Sequence, residues 1–212
     1  MHPNPIFRTT DAKHSLAFAR ERSFGTLLIN AEPTPLIAHV PFLLSEDADF
    51  AGLHLVRSNP IARALKNGAM PAKLSVMGPD SYISPDWYEV ADQVPTWNYV
   101  AVHFEGTLEL MPDDTLRDLI AYQSAHFEQR LTPKQPWIAE KMSDGVLEKM
   151  MRAISPVRLT ITEMQSTWKL GQNKPEPVRR AAAKQVAKNG IGHETQSLAA
   201  LMDSPPKPDQ QE

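Results

Sequence analysis

Apolar residues recur at every second position through much of the first half of the chain, and helical spacing gathers in the second. Residues 11–22, with Leu16, Ala17 and Phe18 after Asp11 at the cap position, form a short amphipathic stretch that predicts a helix. Residues 24–30 and 35–44 then read as two strands joined by a turn carrying Pro33 and Pro35, and residues 53–58 read as a third. Asn59 in the cap position, Pro60 at the first helical position and Gly68 after Asn67 frame a short helix over 62–67. Residues 72–77 predict a fourth strand. Residues 81–84 begin a fifth that Pro85 interrupts.

Residues 98–110 predict a long bent strand or hairpin with Gly106 as a bulge or turn. The longest helix is expected over 113–131, where Leu116, Leu119, Ile120, Gln123 and Phe127 share a face. A second is expected over 143–154, with Val146, Met150, Met151 and Ile154 inward. Val157, Leu159 and Ile161 alternate with Arg158, Thr160 and Thr162, which predicts a half-buried strand over 157–164. Strands early and helices late point to an α+β fold with a mostly antiparallel sheet, a barrel rather than a doubly wound sheet. The chain turns polar after Gly171. A helix is expected over 177–189, and the Pro-rich end of the chain reads as disordered. The expected organisation is therefore one barrel domain over 1–170, a C-terminal loop and basic helix over 171–202 packed on the barrel or a partner, and a disordered tail over 203–212.

Composition narrows the chemistry. The chain has 212 residues, 42% of them hydrophobic, and no cysteine, which removes disulfide frameworks, thiolate catalysis and Cys-type metal sites. A net charge of −3 gives no chain-wide basic surface for nucleic acid. No apolar run reaches the ~20 residues of a membrane helix, and the first residues do not resemble a secretory signal, so a cytoplasmic protein without membrane association is expected. Phosphate loops of the common Gly-rich spacings, HExxH and GxSxG are all missing from the sequence. The seven histidines show no ligand spacing; His39, His54 and His103 fall on three predicted strands, but no metal site is expected.

Four segments could bind a ligand. Arg57, Ser58 and Asn59 precede a helix, where a guanidinium, a hydroxyl and free N–H groups suit a phosphate monoester; the same residues also serve simply as cap and solvated edge. Residues 82–88 and 94–99 collect Trp87, Trp97, Tyr82, Tyr88 and Tyr99 in proline-stiffened loops, which suit a flat heteroaromatic ligand or, equally, a dimer interface. Trp168, Lys169, Gln172 and Asn173 bring an indole, a cation and two amides together after a strand, or else merely end the domain. Arg180, Lys184 and Lys188 recur every fourth residue as a basic stripe, either a solvated helix face or a contact for DNA.

Together these segments resemble the PaiB-type FMN-binding negative transcriptional regulators, relatives of the pyridoxamine-phosphate-oxidase-like split barrels. The resemblance is carried by Asn4-Pro5-Ile6-Phe7, His39-Val40-Pro41-Phe42-Leu43-Leu44, His54-Leu55-Val56-Arg57-Ser58-Asn59-Pro60, Ser84-Pro85-Asp86-Trp87-Tyr88, Val94-Pro95-Thr96-Trp97-Asn98-Tyr99 and Trp168-Lys169-Leu170-Gly171-Gln172-Asn173. It implies a split β-barrel homodimer with FMN at sites built from both subunits. It makes Arg57, Ser58 and Asn59 candidates for the phosphate. Thr96, Trp97, Asn98, Lys169, Gln172 and Asn173 become candidates for the ring and ribityl side. Gly171 stands where the family tends to carry Ser. The implied function is negative transcriptional regulation; the alternative is a flavin-dependent oxidoreductase using NAD(P)H or a small heteroaromatic substrate, so whether the protein is an enzyme stays open.

Overall fold

The alternating segments become six antiparallel strands in the computed structural model, which describes residues 1–208: β1 (Phe24–Ile29), β2 (Leu36–Leu44), β3 (Phe50–Val56), β4 (Met70–Ile83), β5 (Thr96–Leu110) and β6 (Ile154–Lys169). Their hydrogen-bonded order, β1-β2-β3-β6-β5-β4, closes on itself, giving an α+β split barrel with peripheral helices as the pattern predicts. Register follows from burial, since a one-residue slip would turn the apolar set outward. Leu27 faces Ala38 and Leu74 across β1, all three inside, while Leu28 faces Ile37 and Lys73 on the outer side.

The chain divides into two compact, interleaved units, and β4, β5 and β6 each begin in one and end in the other. The first comprises Arg22–Ser75 and Phe104–Glu163. Its core is built by Leu27, Ile29, Phe42, Leu53, Leu74, Phe104 and Leu159. The short helix α2 (Pro60–Ala64) buries Ile61 and Ala62. Helix α3 (Leu116–Gln129) is tied to β3 by the buried Gln123, whose Nε2 donates to the Gly52 carbonyl at 3.2 Å and whose Oε1 lies 2.9 Å from His54 Nδ1. Helix α4 (Val146–Met151) is shorter than its pattern predicts, and Val146 and Met150 point outward rather than in. Gly106 is no turn: it lies within β5, where a Cβ would sit 1.9 Å from the Thr160 carbonyl oxygen.

The second unit comprises Met1–Glu21, Val76–His103 and the chain from Met164 on. It holds α1 (Ala12–Arg22), α5 (Glu176–Asn189), α6 (Thr195–Asp203) and a core of Ile83, Val100, Trp168, Leu170, Ala182, Val186, Leu198 and Met202. The boundary expected at 170/171 falls inside this unit. Two expected strands, 72–77 and 81–84, are one. Gly78 sits in mid-strand because α1 passes so close that a Cβ would lie 2.7 Å from the Phe18 ring and 2.9 Å from Val100 Cβ. β6 likewise runs past residue 164, so Trp168 and Lys169 are strand residues and not loop. Of the expected tail, Pro208 pairs with Thr10 in an isolated antiparallel bridge, and 209–212 lie outside the described residues.

Candidate functional site

Within the second unit, the start of β5 and the end of β6 bring Thr96 and Lys169 together: Lys169 Nζ donates to Thr96 Oγ1. The ammonium also lies 5.9 Å from the centroid of the Phe7 ring, on the cation-attracting face. Burial pushes the Lys169 pKa below the ordinary lysine value, because a partly desolvated ammonium loses hydration that a hydroxyl and a ring only partly replace. Trp97, next along β5, leaves 47% of its surface exposed and meets Tyr82 edge to face at 6.3 Å between centroids. Tyr82 meets Trp87 in the same way at 6.5 Å, so Trp97, Tyr82 and Trp87 form a chain of three aromatic rings.

Two other predicted residues of this unit, Asn98 and Gln172, are spent on building it. Asn98 is buried and its Nδ2 donates to Met202 Sδ at 3.5 Å, which joins β5 to α6. Gln172 closes its own turn: its Oε1 accepts from the Leu170 N–H at 2.8 Å, and its Nε2 donates to the Trp168 carbonyl. That turn holds Gly171 at φ +83°, a conformation that favours glycine over a serine at this position. Asn173 is exposed on the loop. Trp168 is a core residue whose indole N–H donates to Ser15 Oγ at 3.0 Å. Lys174, next along the same loop, donates to Gln93 Oε1 and lies 5.2 Å from the Tyr88 ring centroid.

The first unit carries the remaining three candidates. Arg57 follows β3 and is fixed at its backbone by an N–H bond to the Ala153 carbonyl at 2.8 Å. Its Nε donates to the Arg152 carbonyl and one terminal nitrogen to Asp113 Oδ1, both at 2.9 Å, with 41% of the side chain exposed. Asn59 caps α2, its Oδ1 accepting from the Ile61 N–H at 2.8 Å, and Pro60 occupies the first turn. Ser58 is exposed. The guanidinium therefore already holds an anion, a solvent-facing carboxylate, in an ion pair of a kind worth less than about 1 kcal/mol. Each unit thus presents its own cation: Arg57 paired with an exposed carboxylate, Lys169 without an acidic partner among the described residues.

The histidines do not converge. His39 lies 3.2 Å from Thr26 Oγ1 and His54 is taken by Gln123, and among the described residues no three His, Asp or Glu side chains are placed to hold a metal ion. Arg180 on α5 pairs with Glu176 at 2.9 Å and with Asp203 at 3.3 Å, while Lys184 and Lys188 stand exposed.

Comparison with known proteins places this geometry. The chain is 28% identical over 205 residues to the protease synthase and sporulation protein PAI 2 of Bacillus subtilis, covering 96% of this chain and 97% of that one. Among solved structures it is similar to the FAD and heme binding protein of Mycobacterium smegmatis (TM-score 0.57, 17% identity, 88% of this chain and 82% of that one). It is also similar to the flavocytochrome Anf3 of Azotobacter vinelandii (TM-score 0.55, 14% identity, 79% and 72% covered). These two likenesses establish the fold. Residues 1–163 match the family FMN_bind_2, described as "Putative FMN-binding domain"; the chain belongs to that family, and FMN is the cofactor that membership assigns to it.

Proposed function

We propose that the protein is a cytoplasmic, homodimeric FMN-binding split barrel that serves as a negative transcriptional regulator. The observation that carries the regulatory reading is the extent of the likeness to the Bacillus sporulation protein. At 96% of the chain it runs beyond residue 163, where the FMN-binding family match ends, and so takes in α5. Exposed Lys184 and Lys188 on that helix supply cations for phosphate contacts, which would make binding fall steeply with salt. Exposed Phe24 and Ile37 on the outside of β1 and β2 support association with a second copy.

The residues present fit a phosphorylated flavin by their donor chemistry. Lys169 is a half-buried cation with no ion-paired acidic neighbour among the described residues, and an anionic group of the ligand would restore the stabilisation that burial removes. Trp97 offers an indole face for a flat ring. Arg57, with Ser58 and Asn59 beside it, would hold phosphate by exchanging Asp113 for it. Thr96 and Asn173 complete the polar contacts; Asn98 acts by joining β5 to α6, and Gln172 by closing the backbone turn at 168–172. When bound, FMN supplies hydride chemistry; the chain's own residues bind and orient it.

The test is a mobility-shift titration of the full-length protein, with and without FMN, on duplex DNA from upstream of its own gene. Retention that weakens with salt supports regulation, and no retention at low salt in either state removes it. A second reading, a flavin-dependent oxidoreductase acting on NAD(P)H or a small heteroaromatic compound, is favoured by the half-exposed Trp97, which leaves an aromatic face for a second flat molecule. Sustained oxidation of reduced nicotinamide under air by the flavin-loaded protein would select it.

A further inference from the structure

The first unit contains a cavity of about 450 Å³ between α3, the segment 136–140 and α4, and none of its lining residues is among the flavin candidates. The volume lies in the range of small-molecule sites. Its walls are apolar: Ile120 and Ala121 from α3, Trp137 from the intervening segment, and Leu147 and Met151 from α4. The Trp137 wall is anchored. Glu128 Oε2 accepts from the Trp137 N–H at 2.7 Å and from Lys134 Nζ, and these bonds hold the Glu128 carboxyl below the ordinary carboxylate range.

The charges on the lining have one sign left over. Arg117 is neutralised by Glu148 at 2.6 Å. Asp118 and Glu140 also line the cavity, and neither side chain has a hydrogen-bonded or ion-paired partner among the described residues. An apolar space with an indole wall and two unpartnered carboxylates selects against anions, favours a positive charge on the ligand, and prefers an apolar body attached to it. We propose that this cavity binds a small primary amine with an aromatic or branched apolar body, a second ligand besides the flavin. The apolar body would fill the space between Ile120, Ala121, Leu147 and Met151, and the ammonium would face Asp118, Glu140 and the Trp137 ring.

Calorimetric titration of the full-length protein with 2-phenylethylamine, 2-phenylethanol and phenylacetate, three probes of similar shape and different charge, tests this. The expected result is saturable binding of the amine about tenfold tighter than the alcohol, with the anion weakest. Asp118→Asn combined with Glu140→Gln should bring the amine to the affinity of the alcohol. Ala121→Trp, at an exposed helix position where the larger ring fills the cavity, should abolish binding of both while flavin absorbance stays unchanged. Equal binding of all three probes, no saturable binding, or an Ala121→Trp protein that binds as before would overturn the proposal. A sedimentation coefficient that falls in Ala121→Trp with no amine bound to the parent would overturn it too, and would make the groove a contact between copies. Should Ala121→Trp fail to fold, the carboxylate pair and the three probes decide alone.

Discussion

Lys169 and Thr96, 73 positions apart in sequence, meet at the ends of neighbouring strands through a bond from the ammonium to the hydroxyl. The pair leaves a half-buried cation with no acidic partner among the described residues, and most of the flavin reading follows from it. Lys169→Met keeps the stem and removes the charge, so FMN affinity should fall about tenfold or more, the worth of a charge-assisted hydrogen bond. Thr96→Val should cost less, about threefold. Flavin fluorescence titration measures both, and unchanged affinity in Lys169→Met would remove that residue from the site.

The same lysine sets a pH dependence. Its folded-state pKa lies below the unfolded value, so between the two the unfolded chain binds more protons and stability rises with pH. Protein without flavin should therefore resist urea better as pH climbs through the interval below about 10.5, where an unperturbed lysine titrates. Lys169→Met should flatten that rise. An anionic ligand that stabilises the ammonium has the opposite effect, so FMN affinity should fall over the same interval.

Arg57 and Asp113 make a second, separable prediction. If the guanidinium exchanges Asp113 for phosphate, Arg57→Ala should weaken FMN by about tenfold or more and leave riboflavin, which lacks the phosphate, unaffected. Asp113→Asn should tighten FMN by a few fold, because the competing carboxylate is gone. Loss of riboflavin affinity equal to that of FMN would show that Arg57 supports the fold rather than the phosphate.

Gly78 tests the packing of α1 on β4. A methyl at this position would press on the Phe18 ring, so Gly78→Ala should cost about 1–3 kcal/mol of stability by urea unfolding, in the range of overpacked cores. Adding Phe18→Leu should recover part of that loss. Additive losses in the double variant would locate the strain elsewhere.

Much of the barrel was legible in the sequence, because half-buried strands show their period directly and Asn59-Pro60 before a helix is an unambiguous start. What misled was punctuation. The strands expected over 72–77 and 81–84 are continuous through Gly78, where glycine is required by the close approach of Phe18, a partner 60 positions away that no local pattern reveals. Lys169 likewise reads as loop because β6 loses its alternation after Met164, where neighbours from α1 and α6 take over its burial. Helix α6 escaped notice among polar residues; only Leu198, Ala199 and Met202 face inward, too few for a conspicuous stripe. Of the site residues, chemical type was readable but role was not. Gln172 and Asn98 look as ready to bind a ring as Asn173 does, and only their bonds to Leu170, Trp168 and Met202 distinguish building from binding.

One titration reaches the centre of this account: purified protein incubated with excess FMN, passed through a desalting column and read for bound flavin per chain. About one flavin per chain, with a markedly lower ratio in Lys169→Met, is the expected result. A colourless protein, or equal retention of flavin in the two proteins, would contradict it.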